Sequence, residues 1–251
     1  MSELFSPFYV SGQSREIWNY SEMENLESSN KFKLSKKGFT LIELLIAITI
    51  IAVLAALIFS FSRKAMKKAN GVKDMATMRG IWSLIPNYAS DNNGMLPGPI
   101  NSGQKSVYGE ATTGRLSFYV ADQLGYENPK RDDVLQPLVF SWQKTEAALK
   151  APSFFMPSTI KLDNGTGDTI RPWGHPLRTG EDRIPKSLIS VFSRIDPARE
   201  WAISDLDQQH PGVGNSGWKD EIPEEMSHGD YRIAIYFDGH AGKLDVNNEP
   251  K

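Results

Sequence analysis

The sequence predicts an α+β fold in which one long N-terminal helix packs on a C-terminal antiparallel β-sheet. Three observations support this class. Residues 44–62 form an uncharged and mainly apolar run, and apolar side chains then recur at three- and four-residue spacing. Near the C-terminus, a run of alternating side chains leads into an Asp-Gly pair. The first two patterns indicate a helix, and the third indicates a β-hairpin.

The apolar run is long enough to cross a membrane. An α-helix rises about 1.5 Å per residue, so residues 44–62 cover nearly all of the roughly 30 Å thickness of a hydrocarbon core. Glu43 stands directly before this run and Arg63 directly after it. A carboxylate beside such a segment is costly unless it is paired, so we expect Glu43 to have a partner. The sequence predicts one membrane-spanning helix at residues 39–62.

The helix is expected to continue into a globular domain at residues 63–251, and to end at about residue 92. One buried stripe is predicted on it, formed by Met75, Met78, Trp82, Ile85 and Ala89. Pro86 is expected to kink or end the helix, because proline lacks the N–H group that the helix requires. Residues 87–97 then indicate a helix stop followed by a loop.

The rest of the domain has shorter patterns. Residues 116–124 and 145–150 are candidate helices, whereas residues 135–142 and 201–206 are candidate strands. The clearest pattern lies at residues 231–237, where Tyr, Ile, Ile and Phe alternate with other side chains. Asp238-Gly239 follows, and a second extended run begins at residue 240. An Asp-Gly pair between two strands is typical of a two-residue type I′ hairpin turn.

Composition narrows the range of functions. The formal net charge of −2 argues against a basic nucleic-acid-binding surface. The chain has no cysteine, which excludes disulfides, a thiolate nucleophile and Cys-ligated zinc. It also lacks Gly-x-Ser-x-Gly, His-Glu-x-x-His and a phosphate-binding glycine loop. We therefore expect neither an enzyme nor a nucleic-acid partner.

Residues 37–44, Lys-Gly-Phe-Thr-Leu-Ile-Glu-Leu, resemble the signal of type IV prepilins and type II secretion pseudopilins. A secretory signal peptide would place its small residue after the apolar run, not before it. The resemblance implies a pilin-like fold, cleavage by a prepilin peptidase between Gly38 and Phe39, and N-methylation of Phe39. It also implies that Glu43 pairs with the amino terminus of a neighbouring subunit. The alternative is a plain signal anchor with an interfacial Glu43.

The resemblance makes residues 1–38 a cleaved leader. Four lysines crowd its end and favour a cytoplasmic N-terminus by the positive-inside rule: Lys31, Lys33, Lys36 and Lys37. The precursor is then a single-pass protein of the inner membrane. Met23 offers a second translation start with the same basic end, so two leader lengths remain open.

By the same resemblance, the chain is a structural subunit of a type II secretion pseudopilus or a type IV pilus-like filament, periplasmic or extracellular after processing. Its implied partners are the peptidase, other pilin or pseudopilin subunits, an inner-membrane assembly platform and membrane lipid. Many relatives have glycine and proline where this chain has Ala52 and Ser60. Those residues are linked to local melting of the helix in filaments, and this chain lacks both of them. The alternative function is a signal-anchored extracytoplasmic enzyme or glycan-binding domain.

Two further segments resemble parts of that family. Residues 171–176, Arg-Pro-Trp-Gly-His-Pro, resemble the turn after which major pseudopilins begin their sheet; the alternative is a Pro/Gly turn with one buried Trp. His228, Asp238 and Gly239 match a His-x9-Asp-Gly element of prepilin-type proteins. A strand rises about 3.3 Å per residue, so His228 and Asp238 would lie roughly 30 Å apart and bind no common ion.

Calcium is the one cofactor that the resemblance suggests, because major pseudopilins bind it in a loop. The candidate ligands are Asp163, Asn164 and Asp168, and a second loop-rich stretch contains Asp205, Asp207 and Asp220. Neither stretch matches an EF-hand. An ordinary Asp-Asn-Gly turn is therefore the favoured interpretation of residues 163–168.

Overall fold

A computed structural model describes residues 38–162 and 164–245, and it confirms the α+β class. The chain divides into two compact units, residues 1–54 and 55–251. Helix α1, Leu41–Asp91, begins in the first unit and ends in the second. Among the described residues, α1 is the one helix whose length and composition would suffice to cross a membrane.

The second unit contains three short helices and seven strands among its described residues. The helices are α2 (Leu116–Val120), α3 (Glu146–Lys150) and α4 (Leu188–Phe192). The strands are β1 (Gly103–Lys105), β2 (Pro152–Phe155), β3 (Ile160–Lys161), β4 (Thr169–Ile170), β5 (Trp201–Asp205), β6 (Tyr231–Tyr236) and β7 (Ala241–Asp245). These bounds confirm the helices predicted at residues 116–124 and 145–150 and the strand predicted at residues 201–206.

Five of the strands form one antiparallel sheet in the order β1-β2-β5-β6-β7. Phe154 of β2 lies opposite Asp205 of β5, and Ile203 of β5 lies opposite Ile235 of β6. The remaining two strands, β3 and β4, form a separate antiparallel ribbon. The sheet therefore brings strands β1, β2 and β5, which lie far apart in the chain, together with the C-terminal hairpin β6-β7.

The predicted stripe of α1 is buried in the core of the second unit. Met78 and Ile85 are fully buried, and they share one hydrophobic cluster with Ile233 and Ile235 of β6. Gly71 extends this contact, because a Cβ atom there would lie 3.2 Å from the Tyr231 hydroxyl group. The missing side chain lets the helix backbone approach the start of β6 closely.

Pro86 does not end α1, because the helix continues for five more residues to Asp91. The backbone ladder is opened next to the proline instead. The side-chain amide of Gln123 donates to the Leu84 carbonyl and accepts from the Tyr88 N–H, both at 3.0 Å. In an uninterrupted helix these two backbone groups would bond to each other. Gln123 thus keeps both groups paired at the point where proline disturbs the helix.

The C-terminal hairpin is confirmed, but its predicted type I′ turn is wrong. The connection between β6 and β7 is longer than two residues, and Tyr236 N–H bonds to the His240 carbonyl. Gly239 adopts φ 88°, whereas Asp238 is not among the residues with positive φ. This is the pattern of a three-residue loop whose glycine forms a bulge.

Two other predictions are corrected. Residues 135–142 do not form a strand: Gln136–Leu138 is a 3₁₀ turn, and the Leu135, Leu138 and Phe140 side chains fill the core from irregular backbone. Residues 171–176 contain the expected buried Trp173, which stacks on Phe237 at 5.6 Å. The main sheet does not begin after this turn, because β1 and β2 precede it in the chain.

A buried polar cluster joins α1 to the sheet. Asp74 accepts hydrogen bonds from the backbone N–H and the hydroxyl group of Ser141, at 2.7 and 2.6 Å. The His228 Nε2 atom lies 3.4 Å from Asp74 and 3.3 Å from Asp205. Burial raises the pKa of the Asp205 carboxyl group and lowers the pKa of His228, although Asp74 opposes the shift of His228. The His228 imidazole thus lies between a carboxylate of the helix and a carboxylate of strand β5.

A smaller hydrophobic cluster lies under the loop that follows β5. We call it the satellite cluster; it consists of Phe155, Leu206, Val213 and Ile222. His210 covers it, with its ring 4.6 Å from that of Phe155. The His210 Nδ1 atom accepts the Gly212 N–H, and Nε2 lies 3.0 Å from the Ser204 hydroxyl group. These contacts fit a neutral imidazole, and burial lowers the pKa of His210 to about 4.

Replacing Asp74 with alanine should destabilise the second unit by roughly 2–4 kcal/mol, because a fully buried carboxylate would be lost and two donors of the half-buried Ser141 would lose their acceptor. Thermal unfolding of the detergent-solubilised protein measures the effect. Asp91→Ala is the matched control, since Asp91 is an exposed acidic residue at the end of the same helix. Equal melting temperatures for the two variants would contradict a structural role for Asp74.

Acidification should destabilise the protein through His210. Its pKa in the folded chain is about 4, below the ordinary value of 6.5, so the unfolded chain binds more protons between these pH values. Stability should fall by up to about 3 kcal/mol as the pH drops from above 6.5 to 4. The measurement is the melting temperature across this range, compared with His210→Gln. A variant as sensitive to acid as the parent would exclude His210 as the titrating group.

Candidate processing and assembly site

The start of α1 is a capping box formed by Thr40 and Glu43. The Thr40 N–H and hydroxyl groups both donate to Glu43 Oε2 at 2.9 Å, and the Glu43 N–H donates to the Thr40 hydroxyl oxygen at 3.3 Å. Thr40 is the N-cap residue, and Glu43 is the third residue of the helix. The first helical turn thus pairs N–H groups that have no partner inside a helix.

The role of Thr40 is a feature that our sequence analysis missed. Its signal is present in the sequence, since Thr-x-x-Glu before an apolar run is the signature of a capping box. The predicted partner of Glu43 belonged to another subunit. The structure adds a partner within the same chain, three residues away.

The side chains around this cap are exposed and apolar. Phe39 is 80% exposed and Leu41 is 89% exposed, and the large apolar side chains of residues 42–61 are exposed as well. A soluble protein rarely leaves so much contiguous apolar surface uncovered. The helix therefore requires an apolar surrounding, which a lipid bilayer or a bundle of similar helices would supply.

Gly38 is not required by the fold. A Cβ atom at this position would meet no atom within 4 Å, and Gly38 is not among the glycines with positive φ. Glycine is thus needed here neither for space nor for backbone conformation. This freedom is consistent with selection of a small residue by an external agent, such as a peptidase.

Helix α1 is unbroken along its exposed apolar run. The helix is continuous through Ala52 and Ser60, the positions where many pilins have glycine and proline. This continuity follows from the sequence, because alanine is the best helix former and residues 41–85 contain no proline.

The two ends of the His-x9-Asp-Gly element lie at opposite ends of β6. His228 is buried against Asp74 and Asp205, whereas Asp238 lies in the hairpin loop. The Asp238 Oδ1 atom accepts the His240 N–H at 3.0 Å and lies 2.6 Å from His240 Nδ1. The bond from the His240 N–H is the main cause of the lowered pKa of Asp238. The two ends of the element are thus separated by the length of β6.

Both ends of this element contact α1. His228 lies beside Asp74, and a Cβ atom on Gly239 would come within 2.8 Å of the Trp82 Nε1 atom. Trp82 also packs edge-on against Phe237, with ring centroids 5.9 Å apart. The geometry is that of a structural clamp, which fixes β6 along the helix at two points.

The calcium candidates are partly outside the described residues, since Asp163 is not described. Asp168 Oδ2 accepts the Thr166 hydroxyl group at 2.6 Å and the Asn164 amide at 3.1 Å, and these bonds lower the pKa of Asp168. In the described part of the loop, side chains of the loop itself thus bond to Asp168 Oδ2. Calcium binding at residues 163–168 stays a prediction.

The second acidic stretch is divided among different partners. Asp205 contacts His228, while Asp207 receives two hydrogen bonds from Arg232, at 2.6 and 2.9 Å. Asp220 lies in the 3₁₀ turn Lys219–Glu221 and is exposed. Across residues 38–162 and 164–245, no three acidic, His or Cys side chains are grouped to hold a metal ion.

Comparison with known proteins identifies the N-terminal segment. Residues 33–59 match the family described as the prokaryotic N-terminal methylation motif. No curated protein and no solved structure matched the chain. The match includes Gly38, Phe39, the capping box and most of the exposed apolar run. The chain thus carries the signal motif of type IV prepilins and pseudopilins, in front of an α+β domain of pilin-like layout.

Proposed function

We propose that this protein is a filament subunit, a pilin or pseudopilin, that is cleaved between Gly38 and Phe39, N-methylated on Phe39 and assembled through α1. The observation that carries the proposal is the segment 38–43. A methylation motif, a glycine without a structural task and a capped carboxylate meet there at the start of an exposed apolar helix. The filament is a type II secretion pseudopilus or a type IV pilus-like fibre.

Before assembly, the subunit waits as a single-pass protein of the inner membrane with its leader in the cytoplasm. The capping box keeps the Glu43 carboxylate hydrogen-bonded while the helix lies in lipid. Prepilin peptidase then removes residues 1–38. After this step, the amino group of Phe39 carries a positive charge four residues ahead of Glu43.

In the filament, the Glu43 carboxylate pairs with the amino group of Phe39 on a neighbouring subunit. In an apolar surrounding a charge left without its partner is costly, so the pair fixes the axial position of one helix against the next. Burial of apolar helix surface against like helices supplies most of the packing contacts. The subunit passes from the membrane to a periplasmic or extracellular fibre through an inner-membrane assembly platform.

This role is structural and needs no catalytic group. Packing explains the shifted pKa values of Asp205 and His228 in the clamp, of Asp238 in the hairpin loop and of His210 over the satellite cluster. We propose no nucleic-acid partner, in keeping with the formal net charge of −2.

Replacing Glu43 with alanine should leave membrane insertion and cleavage intact but abolish incorporation into filaments, because the intersubunit pair is lost. The measurements are the mass of the processed chain and its presence in sheared fibres. Glu43→Gln retains an oxygen that accepts from Thr40 but has no charge, so it should also fail to assemble. Normal fibres from either variant would contradict the pairing.

Replacing Gly38 with valine should block cleavage and leave the precursor in the membrane with its leader attached. The folded second unit should melt at the parent temperature, because a side chain at residue 38 meets no atom within 4 Å. Gly80→Ala is the matched control: Gly80 has the same open surroundings within α1, and its replacement should mature normally. Mass spectrometry separates the two outcomes, and a processed Gly38→Val chain would refute the assigned cleavage position.

A further inference from the structure

Three adjoining surface depressions form a groove in the second unit. Their volumes are about 500, 350 and 300 Å³, each within the usual range for ligand pockets. Ser102 and Gly212 line both the first and the second depression. Trp201, Pro157 and Thr159 line both the second and the third. We call the combined depression the tryptophan groove, because Trp218 lines its first part and Trp201 the other two.

Both tryptophans are held in place by the satellite cluster. Each indole is only partly buried and packs against this cluster with part of its surface. Trp201 is braced by the rings of Phe155 and His210, with centroids 6.1 and 5.8 Å away. An ordered aromatic ring loses little conformational entropy when a ligand stacks on it.

Two glycines shape the backbone around these rings. A Cβ atom on Gly103 would lie 2.9 Å from the Trp218 Cζ2 atom, so the missing side chain lets the indole lie against β1. A Cβ atom on Gly212 would clash with the Phe155 ring, so the missing side chain lets this loop lie directly against the satellite cluster. The groove is thus a preformed part of the fold.

The charged side chains that line the groove lie beside opposite charges. Lys105 pairs with Glu221 at 3.8 Å, and Arg115 pairs with Asp132 at 3.0 Å. Lys161 is accompanied by Glu200 in the third depression. Burial, with help from neighbouring arginines, lowers the pKa of His175, which favours the neutral imidazole. A ligand that depends on charge therefore has little to recognise.

Residues with hydroxyl groups line the central part of the groove. The side chains of Ser102, Ser158 and Thr159 line the central depression beside Trp201. The sheet edge next to the groove is covered: Trp218 lies against Gly103, and the Gln104 side chain bonds to the Asn101 and Gly114 carbonyl groups. An extended peptide would need that edge in order to add as a strand.

We propose that the tryptophan groove binds a linear, neutral polysaccharide. Pyranose rings offer an apolar C–H face that stacks on an indole, and a rim of hydroxyl groups that exchange hydrogen bonds with serine and threonine. Two indoles that line one groove, with serine and threonine among the other lining residues, suit successive sugars along one chain. This activity is independent of filament assembly and would give the fibre a specific surface.

The test is calorimetry of the full-length, detergent-solubilised protein with neutral hexasaccharides of β-1,4-linked glucose, xylose and N-acetylglucosamine. We expect at least one to bind, with a concurrent change in tryptophan fluorescence. Trp218→Ala and Trp201→Ala should each weaken binding by about tenfold or more. Trp142→Ala, the same substitution outside the groove, should bind like the parent.

Trp201 also supports the satellite cluster, so Thr159→Val serves as a variant that leaves both indoles in place; it should bind severalfold more weakly. Circular dichroism verifies that each variant is folded. The proposal is overturned if no neutral hexasaccharide binds, or if the folded Trp218→Ala and Thr159→Val proteins bind like the parent. It is also overturned if only polygalacturonate or a proline-rich peptide binds and competes at these residues.

Discussion

The packing of α1 on β6 is the contact on which the rest of the second unit depends. Gly71 brings the helix close to Tyr231, and Asp74 meets His228 and Ser141 in the interior. Further along the helix, Trp82 contacts Phe237. Because β6 is an inner strand of the five-stranded sheet, fixing it along α1 also fixes the positions of β5 and β7 on either side. The buried cluster therefore fixes the position of the central strands relative to the helix.

The sequence predicted those parts of the fold whose signals are local. The stripe on α1, the C-terminal hairpin and the helices at residues 116–124 and 145–150 all have a period or a cap within a few residues. Strand β2 was missed because all its side chains are buried and show no alternation. Residues 135–142 were misassigned because an apolar run without a period fits a buried strand and a buried 3₁₀ turn equally well.

In the candidate site, too, the residues with a local sequence signal were predictable and the contacts between distant segments were not. Gly38, Phe39 and Glu43 belong to a contiguous motif, so the sequence alone sufficed to select them, and the cap between Thr40 and Glu43 was within its reach. The surroundings of His228 were not, because its partners Asp74 and Asp205 lie on distant segments and meet only through the packing of α1 on the sheet. The His-x9-Asp-Gly motif therefore marks His228 in the sequence but does not predict its contacts.

The capping box has a consequence for the reversibility of assembly. In the free subunit, the Glu43 carboxylate already accepts two hydrogen bonds from Thr40. In the proposed assembly, a subunit that enters a fibre exchanges these intrachain partners for the amino group of a neighbour, and its own Thr40 can supply the first partners again if it leaves. The Glu43 carboxylate would thus have a hydrogen-bond donor in the membrane both before a subunit docks and after it leaves.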